Sequence, residues 1–434
     1  MTTANRARRH KILIRFGLFG ATVPLAVAAG IAATASTGSA APSSHDSGRS
    51  SWVTSWAASP MVAVPGTLSA TGFDDQTVRD IVFTSVGGDE VRLVLSNVFG
   101  ASPLQVGRAT VAVVGSGAAV VPGTVGQVTV GGSASFQIPA GAQVLTDPVR
   151  MRVPALQDLA VSLYLPDATG AATNHSDAQQ VNWVSAGDHS GDTGGSAFTT
   201  QTQSWYYVSD VIVRSPRAAG TVVAFGDSIT DGFQSTVGAN ARWPNDLARR
   251  LDALHGPTLS VADEGISGNR VLNSDLCCGV NALARFDRDA LDQTGVRTII
   301  VLEGINDFGF SAVPDNPVID PVTDVSAAQV IAGYQQLIAQ AHARGLKIIG
   351  ATLLPFKGAG YYTAAGEAKR EAVNDWIRHS GAFDGVIDFD TLMRDPSDPL
   401  TMNPAYDSGD HLHPNDAGYQ VMANAINLNT LFDH

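Results

Sequence analysis

The sequence predicts an α/β fold with a parallel sheet covered by helices on both faces, preceded by an all-β, sandwich-like domain. Two observations carry this. From about Trp52 to Arg214, short apolar-rich runs alternate with clusters of Gly, Pro, Asp and Asn, and no long helical periodicity intervenes. After Gly220 the rhythm changes to short, nearly continuous apolar runs separated by stretches of helical period. That is how parallel strands buried on both faces read. A chain of 434 residues is also too long for one average domain. With 44% hydrophobic and 15% charged residues it can bury a sizeable core, which excludes wholesale disorder.

The N-terminus reads as an address. Arg6, Arg8, Arg9, Lys11 and Arg15 precede a largely apolar run from Phe16 to Ala33, followed by small residues through Ala41. Basic, apolar and small-residue regions in that order are a secretory signal. Residues 1–41 are therefore expected to be a signal peptide and 42–51 a polar leader, with the mature protein outside the cell. Arg8-Arg9 fits a twin-arginine signal as well as a general one. No later stretch reaches the roughly 18 apolar residues of a span, so no stable membrane insertion is expected after cleavage.

In the first domain, 52–214, Thr77–Ser85 and Glu90–Ser96 partly alternate around the turn signal Gly87-Gly88-Asp89. Ala109–Val114, Gln127–Val130, Val149–Val153, Leu159–Leu165 and Tyr206–Val213 are further strands. Several short strands with turn signals between them predict an antiparallel sandwich. Residues 215–220 read as a linker. In the second domain, 221–434, strands are expected at Thr221–Phe225, Leu259–Ala262, Thr298–Leu302, Leu346–Thr352 and Gly385–Ile387. Leu247, Leu251 and Leu254 share one helix face, with Pro244 in the first turn. Val330, Ile331, Tyr334, Leu337, Ile338 and Ala341 form another stripe, with Ser326 as cap and Gly345 as stop. Ligands of such sheets bind beyond the carboxyl ends of the strands.

The chemistry-bearing residues fall there. Phe225-Gly226-Asp227-Ser228 follows the first strand of the second domain directly. A serine hydroxyl is a weak nucleophile until a base takes its proton. Asp410-His411-Leu412-His413 supplies an imidazole and a carboxylate that can fix its tautomer. Donors for a developing oxyanion are the backbone around Gly265-Ile-Ser-Gly268 and the amide of Asn306 in Gly304-Ile-Asn306-Asp307.

Taken together, these four segments resemble the SGNH (GDSL-type) hydrolase family, in the family's order and across the whole second domain. The resemblance implies a three-layer α/β/α sandwich and a carboxylic ester hydrolase of the esterase or lipase type. Position by position it implies Ser228 as nucleophile, His413 as general base and acid, and Asp410 as the group that orients His413. It further implies an oxyanion hole made by the N–H groups of Ser228 and Gly268 with the Asn306 amide. No cofactor and no metal are implied. The substrate would be a small-molecule or polymer-borne ester, an O-acetylated polysaccharide among the choices. One position departs from the family, which often has Asn before the first glycine of its second block where this chain has Asp263-Glu264. The first domain resembles the β-rich extension of some secreted members, and no chemistry is assigned to it.

Blander readings accompany these. Asp227 is expected to hydrogen-bond the turn rather than act as an acid, and Arg270 to form an ion pair. His411 and His413, one residue apart beside Asp410, also suggest a metal site, but no third and fourth ligands with familiar spacing follow. Cys277 and Cys278 are open between free thiols, intermolecular pairing and a bond to each other. Phe308, Phe310, Phe356, Tyr361 and Tyr362 are candidates for pocket walls or core. Trp52, Trp56 and Trp205 are candidates for sugar-stacking platforms, which would make the chain a surface glycan-binding protein, or for sandwich core. The net charge of −13 argues against a nucleic-acid partner. Nothing in the sequence specifies an oligomeric state.

Overall fold

Alternation builds the first half of the molecule. In the strand Gln157–Leu165, the side chains of Leu159, Val161, Leu163 and Leu165 enter one core while Ala160 enters another on the opposite face. This is the period-two pattern of a strand. It pairs antiparallel with Gln76–Thr84 and with Arg108–Ser116 in a seven-stranded sheet. A five-stranded antiparallel sheet runs Ser51–Ala57, Val208–Ser215, Gly88–Ser96 and Val149–Val153, with Gln143–Leu145 also paired to Gly88–Ser96. Val53, Val91, Leu93 and Val211 of this sheet share a core with Val78, Val111 and Leu159 of the other, so the two sheets form a sandwich. These descriptions come from a computed structural model that describes residues 51–314 and 317–432. The expected signal peptide, 1–41, and all of the leader but Ser51 lie outside the described residues.

Each strand expected in this half is present, with ends shifted by a few residues. Tyr206–Val213 divides instead. Tyr206 pairs with Asn174 in a short ribbon, Tyr207 has φ +61, and the long strand starts at Val208. Ser51–Ala57 is a strand that alternation does not reveal, because both of its faces are covered and even Thr54 and Ser55 are fully buried. Two of the three candidate tryptophans are core, and Trp52 is half-buried. Trp56 and Trp205 are buried edge to face, with the Trp205 indole N–H donating to the Ile81 carbonyl at 2.7 Å. The Arg92 guanidinium lies over the Trp52 ring.

The second half is a five-stranded parallel sheet in the order Thr258–Gly265, Ala218–Gly226, Val296–Leu302, Lys347–Ala351, Gly385–Ile387. Helix Trp243–Asp252 packs with Asp416–Ala425, and Ala327–Ala343 with Ala364–His379. Right-handed crossovers place the two pairs on opposite faces, giving three layers. Ser326 and Gln329 form a capping box at the start of Ala327–Ala343, and Gly345 follows its end at φ +67. Helix Trp243–Asp252 is shorter than its apolar stripe, and Leu254 packs on the same core from beyond its end. The first strand lies between the second and the third, so the chain reverses direction around it. In such sheets ligands bind beyond the carboxyl ends of the strands at that point.

The linker expected at 215–220 contracts to a turn, since one strand ends at Ser215 and the next begins at Ala218. The halves are also bonded to each other. The Thr54 N–H donates to the Thr294 carbonyl and the Val261 N–H to the Ser85 hydroxyl, each at 3.0 Å. All described residues belong to one compact unit. Among them no helix is long and apolar enough to cross a membrane.

Candidate active site

Gly226 ends the first parallel strand where a Cβ would stand 2.1 Å from the Leu302 carbonyl oxygen, so only glycine fits against the neighbouring strand. Asp227 then caps the turn Ser228–Asp231, accepting the Ile229 N–H at 3.0 Å. Its other oxygen is buried without a partner among the described residues. Burial, aided by the Asp307 charge, raises the Asp227 carboxyl to about 7. Asp227 is thus a turn residue, and Ser228, 4% exposed, opens the turn with its hydroxyl toward His413.

The opposite wall is the loop before helix Asp416–Ala425, which is capped by Asn415. Asp410 uses both oxygens. Oδ1 accepts the backbone N–H groups of Leu412 and His413 at 2.9 and 2.8 Å, and Oδ2 lies 2.6 Å from Nδ1 of His413. Burial opposes ionisation of Asp410, but the His413 ring and these N–H groups outweigh it and hold the carboxyl well below the usual carboxylate range. A carboxylate only accepts, so Nδ1 carries the proton and Nε2 presents a lone pair. Nε2 lies 2.8 Å from the Ser228 hydroxyl, across 185 positions of sequence. The Phe233 ring flanks His413 at 4.7 Å between centroids.

The groups that the resemblance implies as oxyanion donors follow the ends of the neighbouring strands. Gly268 has φ +78, and a Cβ there would meet the Cys278 sulfur at 2.4 Å. Neither its N–H nor that of Ser228 is spent on a hydrogen bond among the described residues. Asn306, 2% exposed, gives one amide hydrogen to the Asn269 carbonyl at 3.0 Å and keeps the second. Asn269 is pinned in turn by bonds to the carbonyls of Cys278 and Val280 and from Arg285. Asp307 accepts the N–H groups of Val271 and Leu272, tying the asparagine block to the segment after Gly268, while burial raises its carboxyl to about 7. The structure therefore gathers Ser228, His413, Asp410, Gly268 and Asn306 at one end of the sheet.

Other candidates resolve differently. His411 turns to Asp407 at 2.7 Å, and among the described residues Asp410, His411 and His413 do not bring three ligand atoms together. Arg270 is buried in an ion pair with Asp275. Cys277 and Cys278 are bonded to each other beside Gly268. Phe308 and Phe356 are core, whereas Tyr361 and Tyr362 are partly exposed. The unusual Glu264 accepts from the Ser59 hydroxyl at 2.5 Å and the Gln293 amide at 2.7 Å, so it serves the junction between the halves. The sequence assigns no supporting role to Asn269, Asp231 or His175, and offers Tyr361 only as pocket wall or core, whereas its hydroxyl bonds Asn306. Most of their partners lie far away in sequence, although Asn269 directly follows Gly268 and Asp231 stands three residues beyond Ser228.

The model of the GDSL-like lipase/acylhydrolase family matches residues 224–421. A comparison with curated proteins gives no match. Among solved structures, an acetylxylan esterase of Geobacillus stearothermophilus is 20% identical over 50% of this chain and 96% of its own, with TM-score 0.37. A GDSL-like lipase of Bacteroides thetaiotaomicron is 18% identical over 48% and 85%, with TM-score 0.36. A member of the lipolytic G-D-S-L family from Veillonella parvula is 18% identical over 47% and 94%, with TM-score 0.35. Residues 224–421 of this chain, which carry the serine, the asparagine and the Asp-x-x-His segment, are a GDSL-like lipase/acylhydrolase domain.

Proposed function

We propose that the protein hydrolyses carboxylic esters through an acyl-enzyme on Ser228, without a metal ion. The observation that carries the reading is the 2.8 Å approach of the Ser228 hydroxyl to Nε2 of His413, with Asp410 behind the ring at 2.6 Å. Ser228 Oγ attacks the ester carbonyl carbon while its proton passes to His413 Nε2. The carbonyl oxygen becomes an oxyanion facing the N–H groups of Ser228 and Gly268 and the free amide hydrogen of Asn306. Collapse breaks the bond to the alkoxy oxygen, which leaves as the alcohol with the proton from His413. Water then attacks the acyl carbon, gives a proton to His413, and releases the acid as the proton returns to Ser228.

The basic-then-apolar order of residues 6–41 supports placing this reaction outside the cell. The test is turnover of p-nitrophenyl esters of rising chain length beside acetylated xylan and pectin, by wild type and Ser228→Ala. The reading expects activity on at least one ester, none in the variant, and no effect of a chelator. Loss on chelation with Ser228→Ala unimpaired would transfer the chemistry to a metal. Preference for the acetylated polymers would make the leaving group a sugar hydroxyl and leave the steps unchanged.

A further inference from the structure

Asp231 ends the helical turn that Ser228 begins, and its carboxylate is committed to two other segments. Oδ2 accepts both the N–H and the hydroxyl of Ser267, at 3.1 and 2.8 Å, in the loop that presents Gly268. One carboxylate thus aligns the turn bearing one oxyanion donor with the loop bearing another. Its remaining oxygen, Oδ1, lies 3.1 Å from Nε2 of His175. His175 belongs to the β-rich half, in the short strand Asn174–His175, and its Nδ1 lies 2.9 Å from the Ser59 carbonyl oxygen.

The proton inventory of this ring is decisive. A carbonyl and a carboxylate only accept, so both ring nitrogens must donate and His175 must be an imidazolium. Burial works against that charge, but Asp231 and the Ser59 carbonyl overcome it and raise the imidazole above its ordinary value. The pair is enclosed, with side chains 3% and 4% exposed. The Trp205 ring lies beside it, and Asp177 and Asp263 also act on it. Arg242 closes the remaining side through the Asp231 carbonyl. An enclosed ion pair is a poor source of stability, since apolar side chains of similar volume often do as well. What it supplies is a fixed geometry between two segments.

We infer that His175 is a positioning residue for ester hydrolysis: through Asp231 it holds Ser267, and with it the Gly268 N–H, in register with Ser228. The inference rests on the Ser228 reading above, and it makes the β-rich half a working part of the catalytic centre. His175 touches no substrate. It acts by keeping two oxyanion donors aimed at one point, where a displacement of about 1 Å costs on the order of 10² in rate.

The test uses the full chain and a short-chain p-nitrophenyl ester, comparing wild type, His175→Phe, His175→Gln and Ser228→Ala, with thermal unfolding of each. Phe keeps the ring and removes both donors, whereas Gln can donate to Asp231 from nearly the same place. The expected result is a kcat for His175→Phe reduced roughly 10- to 100-fold with KM within about twofold, and substantial recovery in His175→Gln. Inactivation by an aryl phosphonate, which also places an oxygen in the hole, should slow in parallel. If His175→Phe does not fold, Ser267→Ala reads the same link from its other end, with kcat expected to fall several-fold. A wild-type kcat in folded His175→Phe, or in Ser267→Ala where the first does not fold, overturns the inference, as does a fall in melting temperature alone. Activity surviving in Ser228→Ala would instead remove the reading on which the inference rests.

Discussion

The Tyr361 hydroxyl donates to Oδ1 of Asn306 at 3.0 Å, and this bond fixes which end of the amide stays free. With Oδ1 occupied and one hydrogen of Nδ2 given to the Asn269 carbonyl, the second hydrogen is the only part of the group left for an oxyanion. Asn306→Ala should therefore lower kcat by about 10²–10³ with little change in KM, as loss of one oxyanion donor does. A loss below roughly threefold in steady-state assays would argue against the role.

Tyr361→Phe leaves the Asn306 amide in place and removes its anchor. A neutral hydrogen bond contributes about 1 kcal/mol, so a loss of roughly fivefold in kcat is expected. The double variant with Asn306→Ala should be no slower than Asn306→Ala alone, because the tyrosine acts only through the asparagine. Additive losses would show that Tyr361 has an independent function.

Gly268→Ala meets two obstacles at once. The left-handed backbone, φ +78, costs an L-residue about 1–2 kcal/mol, and the new methyl would stand 2.4 Å from the Cys278 sulfur. The loop must shift, taking its N–H out of line, so kcat should fall at least about tenfold together with a lower melting temperature. Wild-type kinetics for this variant would mean that the Gly268 N–H does not serve the reaction.

Stability should decline as pH rises from about 4 to 7. Burial raises Asp227 to about 7, with Asp263 and Asp307 raised to about 7 likewise. In the unfolded chain these carboxyls release their protons near pH 4, whereas the folded chain retains them, so the unfolded state gains as pH increases. The slope for each such group approaches about 1.4 kcal/mol per pH unit. Asp227→Asn keeps the oxygen that caps the turn and cannot ionise, so its melting temperature should fall less between pH 5 and pH 8 than that of wild type. An equal fall in both would exclude Asp227 from the effect.

The second half of the fold was legible because its signals are local. Apolar strands such as Thr298–Leu302 stand between polar breaks, Ser326 caps and Gly345 stops one helix, Ser228 and Asn306 sit just past strand ends, and His413 sits just before a helix. The first half was legible only where one face of a strand meets solvent or a second core. Ser51–Ala57 escaped because it is covered on both sides, by the sandwich and by the parallel sheet, so its buried Thr54 and Ser55 mimic a loop. Trp56 and Trp205 were ambiguous for a related reason, since an aromatic reads alike whether it stacks on a ligand or on another ring. The links around the site were illegible in principle. His175 meets Asp231 across 56 residues and Tyr361 meets Asn306 across 55, with no periodicity to announce either pair.

The most direct measurement is the mass of the protein quenched during turnover of a slow ester, with the modified peptide sequenced. The account predicts one acyl group per chain, on Ser228, absent in Ser228→Ala and accumulating far more slowly in His413→Ala. An acyl group on another residue, or full turnover by Ser228→Ala with no covalent species, would contradict it.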